Sequence, residues 1–160
     1  MEKSIRRAIC AAFLFGKPPS GAALLLIRVA LKGDGMGILE AARPTVIIGT
    51  RDRERAKAFY RDTLGLSFAF EDELAAVFNI GGITLRVSTV PNFTPHEHTI
   101  LGFTVSHVES AVKALGEKGV VFNIYPAFPQ DELGILTLPG AIQVAWLKDP
   151  DGNLLSITNA

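Results

Sequence analysis

The chain carries the same succession of predicted elements twice, and this repeat limits the folds open to it. In each half, a short strand leads into an amphipathic helix that a glycine closes, and further strands follow. Aligned on that order, Leu64-Gly65-Leu66 matches Lys118-Gly119-Val120, although few other side chains agree. A duplicated βαβββ unit explains this better than coincidence. We therefore expect an α+β domain with helices on one face of curved sheets, and the other face either filled or forming a cleft.

The first repeat is predicted from β-branched and apolar patterns. Thr45–Thr50 is predicted to be a strand, and Asp52 is a plausible N-cap of the following helix. Gly65 ends that helix, and its apolar stripe comprises Ala56, Phe59, Tyr60 and Leu64. A hairpin signal at Gly81-Gly82 joins the last two of three further strands. These strands are predicted at Ser67–Phe70, Leu74–Ile80 and Ile83–Thr89.

The second repeat follows the same order with one addition. Thr99–Val105 is predicted to be a strand, and His107 takes the helix-capping position that Asp52 holds in the first repeat. The helix stripe comprises Val108, Val112 and Leu115. The strands after the helix are predicted at Val120–Tyr125, Gly134–Leu138, Ile142–Lys148 and Leu154–Ile157. The segment Gln130–Gly140 exceeds a minimal repeat and indicates an additional short strand or a lid.

Composition excludes several classes of protein. A length of 160 residues with 48% hydrophobic residues suffices for one globular domain with a core. The chain has 16 basic and 16 acidic residues scattered along it, so it shows no charge pattern for nucleic acid. The single cysteine, Cys10, excludes an intramolecular disulfide framework and a zinc site built on several thiolates. It fits a reducing compartment, so we expect a cytoplasmic protein.

Residues 1–42 differ from the rest and are assigned as a leader or extension. They hold Arg6-Arg7 and two apolar runs, Ala8–Phe15 and Ala22–Leu31. Both runs are shorter than the ~20 residues that a membrane-spanning helix needs, so we expect no transmembrane segment. A signal peptide, a mis-assigned start with Met36 as the true first residue, and a membrane-surface or dimer-contact helix all remain open. Residues 43–160 are assigned as a single domain, with the repeats at about 43–90 and 98–160.

Two phrases within this domain carry a family resemblance. They are Ala56-Lys57-Ala58-Phe59-Tyr60-Arg61-Asp62-Thr63-Leu64-Gly65-Leu66 and Lys148-Asp149-Pro150-Asp151-Gly152-Asn153. In this order they resemble the vicinal oxygen chelate superfamily of glyoxalase I, extradiol dioxygenases and bleomycin-resistance proteins, over about Pro44–Ala160. The resemblance implies two βαβββ modules around a half-barrel cleft, with helices on the outer face and a homodimer that often completes the cleft.

The resemblance also implies where a metal would be held. Enzymatic members hold a divalent metal with up to four His, Glu or Gln side chains, which leave room for two substrate oxygens. Carried over, these positions fall on Thr45, Arg86, Ile100 and Ser156. Such side chains do not make a divalent site, and a guanidinium would repel the ion. We therefore predict no metal and no other cofactor.

A different metal site is the less favoured alternative. His96 and His98 would share one face of a strand, and Asp131-Glu132 could fold over the cleft. The competing interpretation is a polar loop with solvated histidines. That interpretation is favoured, because a bound ion usually needs three or more converging ligands.

Without a metal, Arg86 is the leading ligand-binding candidate. Its neighbours Leu85 and Val87 would face the helices, so its guanidinium would point into the cleft and could grip an anion bidentately. A structural ion pair is the competing interpretation. Thr45 and Ser156 join it as candidates, and four aromatic residues could stack on a planar ligand: Phe78, Tyr125, Phe128 and Trp146. Such residues are also common in cores, where we place Phe59, Phe103 and Leu147.

Two classes of function follow. The first is a metal-free protein that binds a small polar or aromatic ligand in a cleft, as bleomycin-resistance-like proteins do. The second is a glyoxalase-like lyase or a dioxygenase with an unusual metal set or none, so whether the chain is an enzyme stays open. A structural descendant with a filled cleft is a third possibility. Bleomycin itself fits poorly, because a cationic ligand favours an acidic groove and this chain has no acidic excess.

Overall fold

The computed structural model describes residues 39–160, and the predictions for residues 1–38 lie outside this range. Ahead of the domain, the amide of Ala42 donates to the carbonyl of Leu39 across 2.9 Å in a turn. Residues 43–160 form one compact unit. Within the described part of the chain, no helix has both the length and the apolarity to cross a membrane.

Residues 43–160 form two four-stranded sheets of identical topology. The first module comprises β1 (Thr45–Thr50), α1 (Arg53–Ala58), a π-helical turn (Phe59–Thr63), β2 (Ser67–Glu71), β3 (Ala75–Ile80) and β4 (Ile83–Thr89). The second module comprises β5 (Leu101–Thr104), α2 (Val108–Glu117), β6 (Ile135–Leu138), β7 (Ile142–Lys148) and β8 (Leu154–Thr158). The strand orders are β1-β4-β3-β2 and β5-β8-β7-β6, with the first pair of each sheet parallel. The predicted βαβββ duplication is confirmed.

The first helix begins as predicted and ends in a way that the sequence did not indicate. Asp52 Oδ1 accepts a hydrogen bond of 3.1 Å from the amide of Arg55, as expected of an N-cap. After Ala58 the helix widens into the π-helical turn, in which the Leu64 amide donates to the Phe59 carbonyl. Gly65 then takes a φ of +73°, which a residue with a side chain adopts at a cost.

The second helix lacks the cap that we expected from its sequence. His107 occupies the N-cap position with extended backbone angles, but its side chain makes no capping hydrogen bond. Its prediction as the counterpart of Asp52 is therefore right in position and wrong in chemistry. The apolar stripe is confirmed, since Val108 and Val112 are buried and Leu115 packs against the core.

The predicted strand Val120–Tyr125 does not form. Only an isolated bridge joins Phe122 to Leu147. The reason lies in Gln130, whose side-chain amide donates to the Asn123 carbonyl and whose side-chain oxygen accepts from the Tyr125 amide. Backbone groups that a strand would use for a ladder are thus bound by a side chain.

One apolar core serves both modules. Both helices lie on the same side of their sheets, with α1 against β3 and β4 and α2 against β7 and β8. The largest side chains below 2% exposure in this core include Tyr60, Phe78, Leu85, Leu147 and Leu155. Phe59 and Phe103 are partly buried and pack against it, so the three residues assigned to the core from sequence lie there. The sheet faces turned away from the helices form the open side of the domain.

Candidate functional site

Strand register defines one row of side chains on the open face of the first sheet. In β4, Leu85 and Val87 are buried on the helix side, so Arg86 between them lies on the open face. The register places Ile47 of β1 and Val77 of β3 on either side of Arg86. Phe70 of β2 lies beyond Val77 and completes the row.

The second sheet carries the equivalent row. Gly102 of β5 pairs with Ser156 of β8, and Ser156 pairs with Trp146 of β7. Trp146 alternates with Ala145 and Leu147, which are both 0% exposed on the helix side. The indole therefore lies on the open face.

These rows share Arg86 and Ser156 with the positions at which the resemblance implied metal ligands, but they do not contain Thr45 or Ile100. The residues across from Arg86 and Ser156 are Ile47 and Gly102, each two positions further along the chain than Thr45 and Ile100. The four row residues are Ile47, Arg86, Gly102 and Ser156. Their side chains are a hydrocarbon, a guanidinium, a hydrogen atom and a hydroxyl, and these groups do not form a site for a divalent cation. The row residues thus fit such a metal no better than the predicted set.

The histidine pair has few partners around it. The rings of His96 and His98 lie 5.1 Å apart, and both side chains are exposed. Asp131, which we considered as a further ligand, accepts hydrogen bonds from the amides of Leu133 and Ile135 in its own loop. Across residues 39–160, no three His, Cys, Asp or Glu side chains converge on one point.

Arg86 is bound to a structural acid, which was the alternative to its role as an anion grip. Its Nη2 lies 2.7 Å from Asp72 Oδ2, with 26% of the arginine side chain and 36% of the aspartate side chain exposed. Asp72 also accepts hydrogen bonds from the amides of Leu74 and Ala75. The Arg86 guanidinium, with the Leu74 amide second, holds the pKa of Asp72 below its usual range. An anionic ligand would have to compete with this carboxylate.

Three aromatic side chains form a cluster at the open face of the second sheet. The Trp146 indole makes an edge contact with Tyr125 at a centroid distance of 5.7 Å. It stacks with Phe128 at 6.0 Å and an interplanar angle of 23°. Phe128 is 49% exposed, while Tyr125 and Trp146 are partly buried. We call Tyr125, Phe128 and Trp146 the aromatic cluster.

Gln130 positions the loop that carries two members of this cluster. Its Nε2 donates to the carbonyls of Asn123 at 3.0 Å and Gly134 at 2.6 Å, and its Oε1 accepts from the Tyr125 amide at 2.6 Å. The Asn123 side chain donates to the Tyr125 hydroxyl at 3.2 Å. Sequence reasoning recognised the segment from Gln130 as an addition but missed this role, because nothing local distinguishes this glutamine from a solvated one.

Phe78 does not belong to the open face, and its prediction as a ligand contact is wrong. It is 1% exposed, and its ring lies 5.9 Å from that of Tyr60 on the helix side. The ring of Phe68 covers it at 5.6 Å. By contrast, Thr45 lies exposed in β1, and Ser156 is 8% exposed next to Trp146.

Cavities away from the open face compete with it as sites. One of about 540 Å³ is lined by Val112, Phe122 and other residues of α2 and the loop after it. Another of about 400 Å³ includes Lys118 and Lys148. The ammonium of Lys118 is already bound to the carbonyls of Asp62 and Thr63. We favour the open face, because it combines the exposed aromatic surface of Phe128 with the polar side chains of Ser156 and Arg86.

Comparisons with known proteins agree with this architecture. The family model described as Glyoxalase/Bleomycin resistance protein/Dioxygenase superfamily matches residues 42–157. No curated protein matches the chain significantly. Many solved structures are similar to it at low sequence identity, and such likeness shows the fold alone; three of them follow.

The first of these is a member of the same superfamily from Sphaerobacter thermophilus DSM 20745. It is 22% identical with a TM-score of 0.58, covering 74% of this chain and 96% of that one. A lactoylglutathione lyase from Agrobacterium tumefaciens is 16% identical with a TM-score of 0.57, covering 74% and 92%. The oxidase ChaP-H2 is 21% identical with a TM-score of 0.58, covering 75% and 94%.

Proposed function

Because this chain belongs to the Glyoxalase/Bleomycin resistance protein/Dioxygenase superfamily, we propose that it binds a small polar or aromatic molecule without a metal. The ligand lies on the open face of the second sheet. Tyr125 and Trp146 contact it, with Ser156 beside them. Thr45 and Arg86 remain candidate contacts on the first sheet.

The aromatic cluster is the observation that carries this proposal. Phe128 and Trp146 present π faces at the open side, and Phe128 is 49% exposed. A planar ligand that stacks on such rings gains about 0.5–1.5 kcal/mol beyond the burial of its area. Gln130 holds the loop of Tyr125 with bonds of 2.6 to 3.0 Å, so the cluster is organised before any ligand arrives.

Trp146 makes the proposal directly testable, because it is the only tryptophan among the 160 residues. We expect planar aromatic probes to quench its fluorescence in a saturable way, and equilibrium dialysis to give the same affinity. Phe128→Ala should weaken binding. Phe70→Ala is the matched control, since Phe70 is 53% exposed on the open face of the first sheet. Quenching that does not saturate for any probe would reject the proposal.

The alternative function is a lyase or dioxygenase with a non-standard metal site. We disfavour it because Ile47, Arg86, Gly102 and Ser156 occupy the two central rows. Elemental analysis of untagged protein, after incubation with nickel, cobalt, manganese, iron or zinc, separates the two. One tightly bound ion per chain would overturn the metal-free proposal and direct attention to His96 and His98.

The homodimer expected from the family resemblance is part of the proposal. Exposed apolar side chains give it some support, since Ile47 is 67% and Leu74 is 69% exposed. Light scattering coupled to size-exclusion chromatography tests it, and a monomer at high concentration would contradict it. The predicted cytoplasmic location stays a prediction.

A further inference from the structure

The row of Gly102, Ser156 and Trp146 beside the aromatic cluster has a gap at Gly102. Gly102 has no side chain, and a Cβ placed on it would lie 3.0 Å from Ser156 Oγ. Trp146 flanks Ser156 on the opposite strand. Glycine at position 102 therefore leaves one side of the hydroxyl uncovered.

The Ser156 hydroxyl has no hydrogen-bond partner within residues 39–160, and the residue is only 8% exposed. The neighbouring hydroxyls on the same two strands both have partners. Thr158 Oγ1 donates to the Gln143 carbonyl at 2.8 Å, and Thr104 Oγ1 donates to the Ala160 carbonyl at 3.1 Å. A hydroxyl of low exposure that has no partner in the chain is free to bind an atom from outside it, either as donor or as acceptor.

The surroundings restrict what that atom can be. The row holds Gly102, Ser156 and Trp146, none of them charged. The exposed Lys148 lies outside this row, two positions along β7 from Trp146, and the cationic Arg86 lies in the row of the other sheet and is bound to Asp72. A carboxylate on the ligand would find no compensating charge in this row, whereas a neutral oxygen needs only the hydroxyl.

We propose that Ser156 donates a hydrogen bond to a neutral carbonyl or ether oxygen of an aromatic ligand whose ring lies against the aromatic cluster. Gly102 is the residue that determines specificity, because any side chain there would cover the hydroxyl. This inference rests on the proposed function and names the class of ligand: a planar aromatic compound with an uncharged oxygen acceptor.

The experiment compares two probes of nearly equal shape, 2-acetylnaphthalene and 2-isopropylnaphthalene, of which only the first has an acceptor. Binding is measured by dialysis and by Trp146 fluorescence. We expect the full chain to prefer the ketone roughly 3- to 10-fold, as one neutral hydrogen bond provides. Ser156→Ala and Gly102→Ala should both abolish the preference. Ser88→Ala removes a hydroxyl from the open face of β4 in the other sheet and should leave it intact.

The outcomes separate this inference from the proposed function. Equal binding of both probes by the unmodified chain, or a preference that survives Ser156→Ala, overturns the inference while the aromatic site stands. Binding of neither probe rejects both. The double variant Gly102→Ala/Ser156→Ala covers the case in which one substitution disturbs folding. Its ketone affinity should equal that of Ser156→Ala, because the methyl group then has no hydroxyl to cover.

Discussion

The hydroxyl of Tyr60 donates a hydrogen bond of 2.9 Å to the carboxylate of Asp149, across 89 positions of sequence. Tyr60 lies in the π-helical turn of the first module, and Asp149 opens the β7–β8 turn of the second. Asp149 also accepts from the amides of Asp151 and Asn153 and from the Asn153 side chain. The two sequence phrases that carry the family resemblance therefore contact each other and join the modules.

Substituting Tyr60 should test the strength of this link. Burial, followed by the negative charge of Asp149, raises the pKa of the Tyr60 phenol far above its usual range, so the hydroxyl stays a donor. Tyr60→Phe leaves a buried carboxylate with one donor fewer, and we expect a loss of roughly 1–3 kcal/mol in the free energy of unfolding. Urea unfolding measures this. Tyr125→Phe, at a partly exposed tyrosine, serves as the control, and an equal loss in both variants would contradict the prediction.

Asp151 makes a second link between the modules, and from it we expect the stability of the fold to fall in acid. Its carboxylate accepts from the Thr50 hydroxyl, the Arg51 amide and the Arg51 and Arg55 guanidiniums. Burial alone would raise the pKa of Asp151, but these hydrogen bonds, Thr50 first, bring it below its usual range. A depressed pKa in the folded state stabilises the fold above the unfolded value of about 3.9. This stabilisation is lost as the pH falls through the folded value.

Asp151→Asn should therefore lower stability at pH 7 by roughly 1–3 kcal/mol, since buried donors lose a charged acceptor. Its stability should also change less than that of the unmodified chain between pH 5 and pH 2, a window set on either side of the unfolded pKa of about 3.9. Urea unfolding across that range tests both points. Glu97→Gln, at an exposed loop acid, should follow the unmodified chain throughout. Parallel pH curves for Asp151→Asn and the unmodified chain would show that Asp151 does not carry the effect.

Gly49 makes a close contact that accepts no side chain. Phe93 belongs to the linker between the modules, and its ring lies against Gly49 in β1. A Cβ at position 49 would overlap this ring. We expect Gly49→Ala to destabilise the domain by about 1–3 kcal/mol, because overpacking displaces the ring. The double variant Gly49→Ala/Phe93→Leu should recover part of this loss. Additive losses in a double-mutant cycle would refute the contact.

The pair of Arg86 and Asp72 predicts how the open face responds to anions. Asp72→Asn removes the charge that holds the guanidinium at 2.7 Å, so an anionic probe such as 2-naphthoate should bind roughly 10-fold tighter. Adding Arg86→Met should cancel the gain. The control probe is 2-acetylnaphthalene, whose affinity should not change. An unchanged naphthoate affinity in Asp72→Asn would remove Arg86 from the candidate ligand contacts.

Sequence reasoning identified some residues of the site and missed others, and each miss has a physical cause. Trp146 and Phe78 both stand in apolar runs of sequence, so local periodicity did not separate their faces. Ala75, Ala76, Val77 and Phe78 are all at most 3% exposed, whereas Trp146 lies between two fully buried residues and is itself partly exposed. Ile47 and Gly102 could not be identified as the neighbours of Arg86 and Ser156, because the register between strands distant in sequence follows from their packing.

What the sequence determined by itself is the repeated order of elements, their apolar faces and the glycine-closed turns. These depend on local periodicity and on backbone conformations that few residues adopt. Only the tertiary structure decided that Tyr60 meets Asp149, that Asp72 binds Arg86 and that Gln130 shapes the aromatic cluster. The first two contacts join side chains on different elements, whereas Gln130 binds backbone groups of its own loop. Their geometry follows from how two sheets pack over one core, which no local pattern specifies.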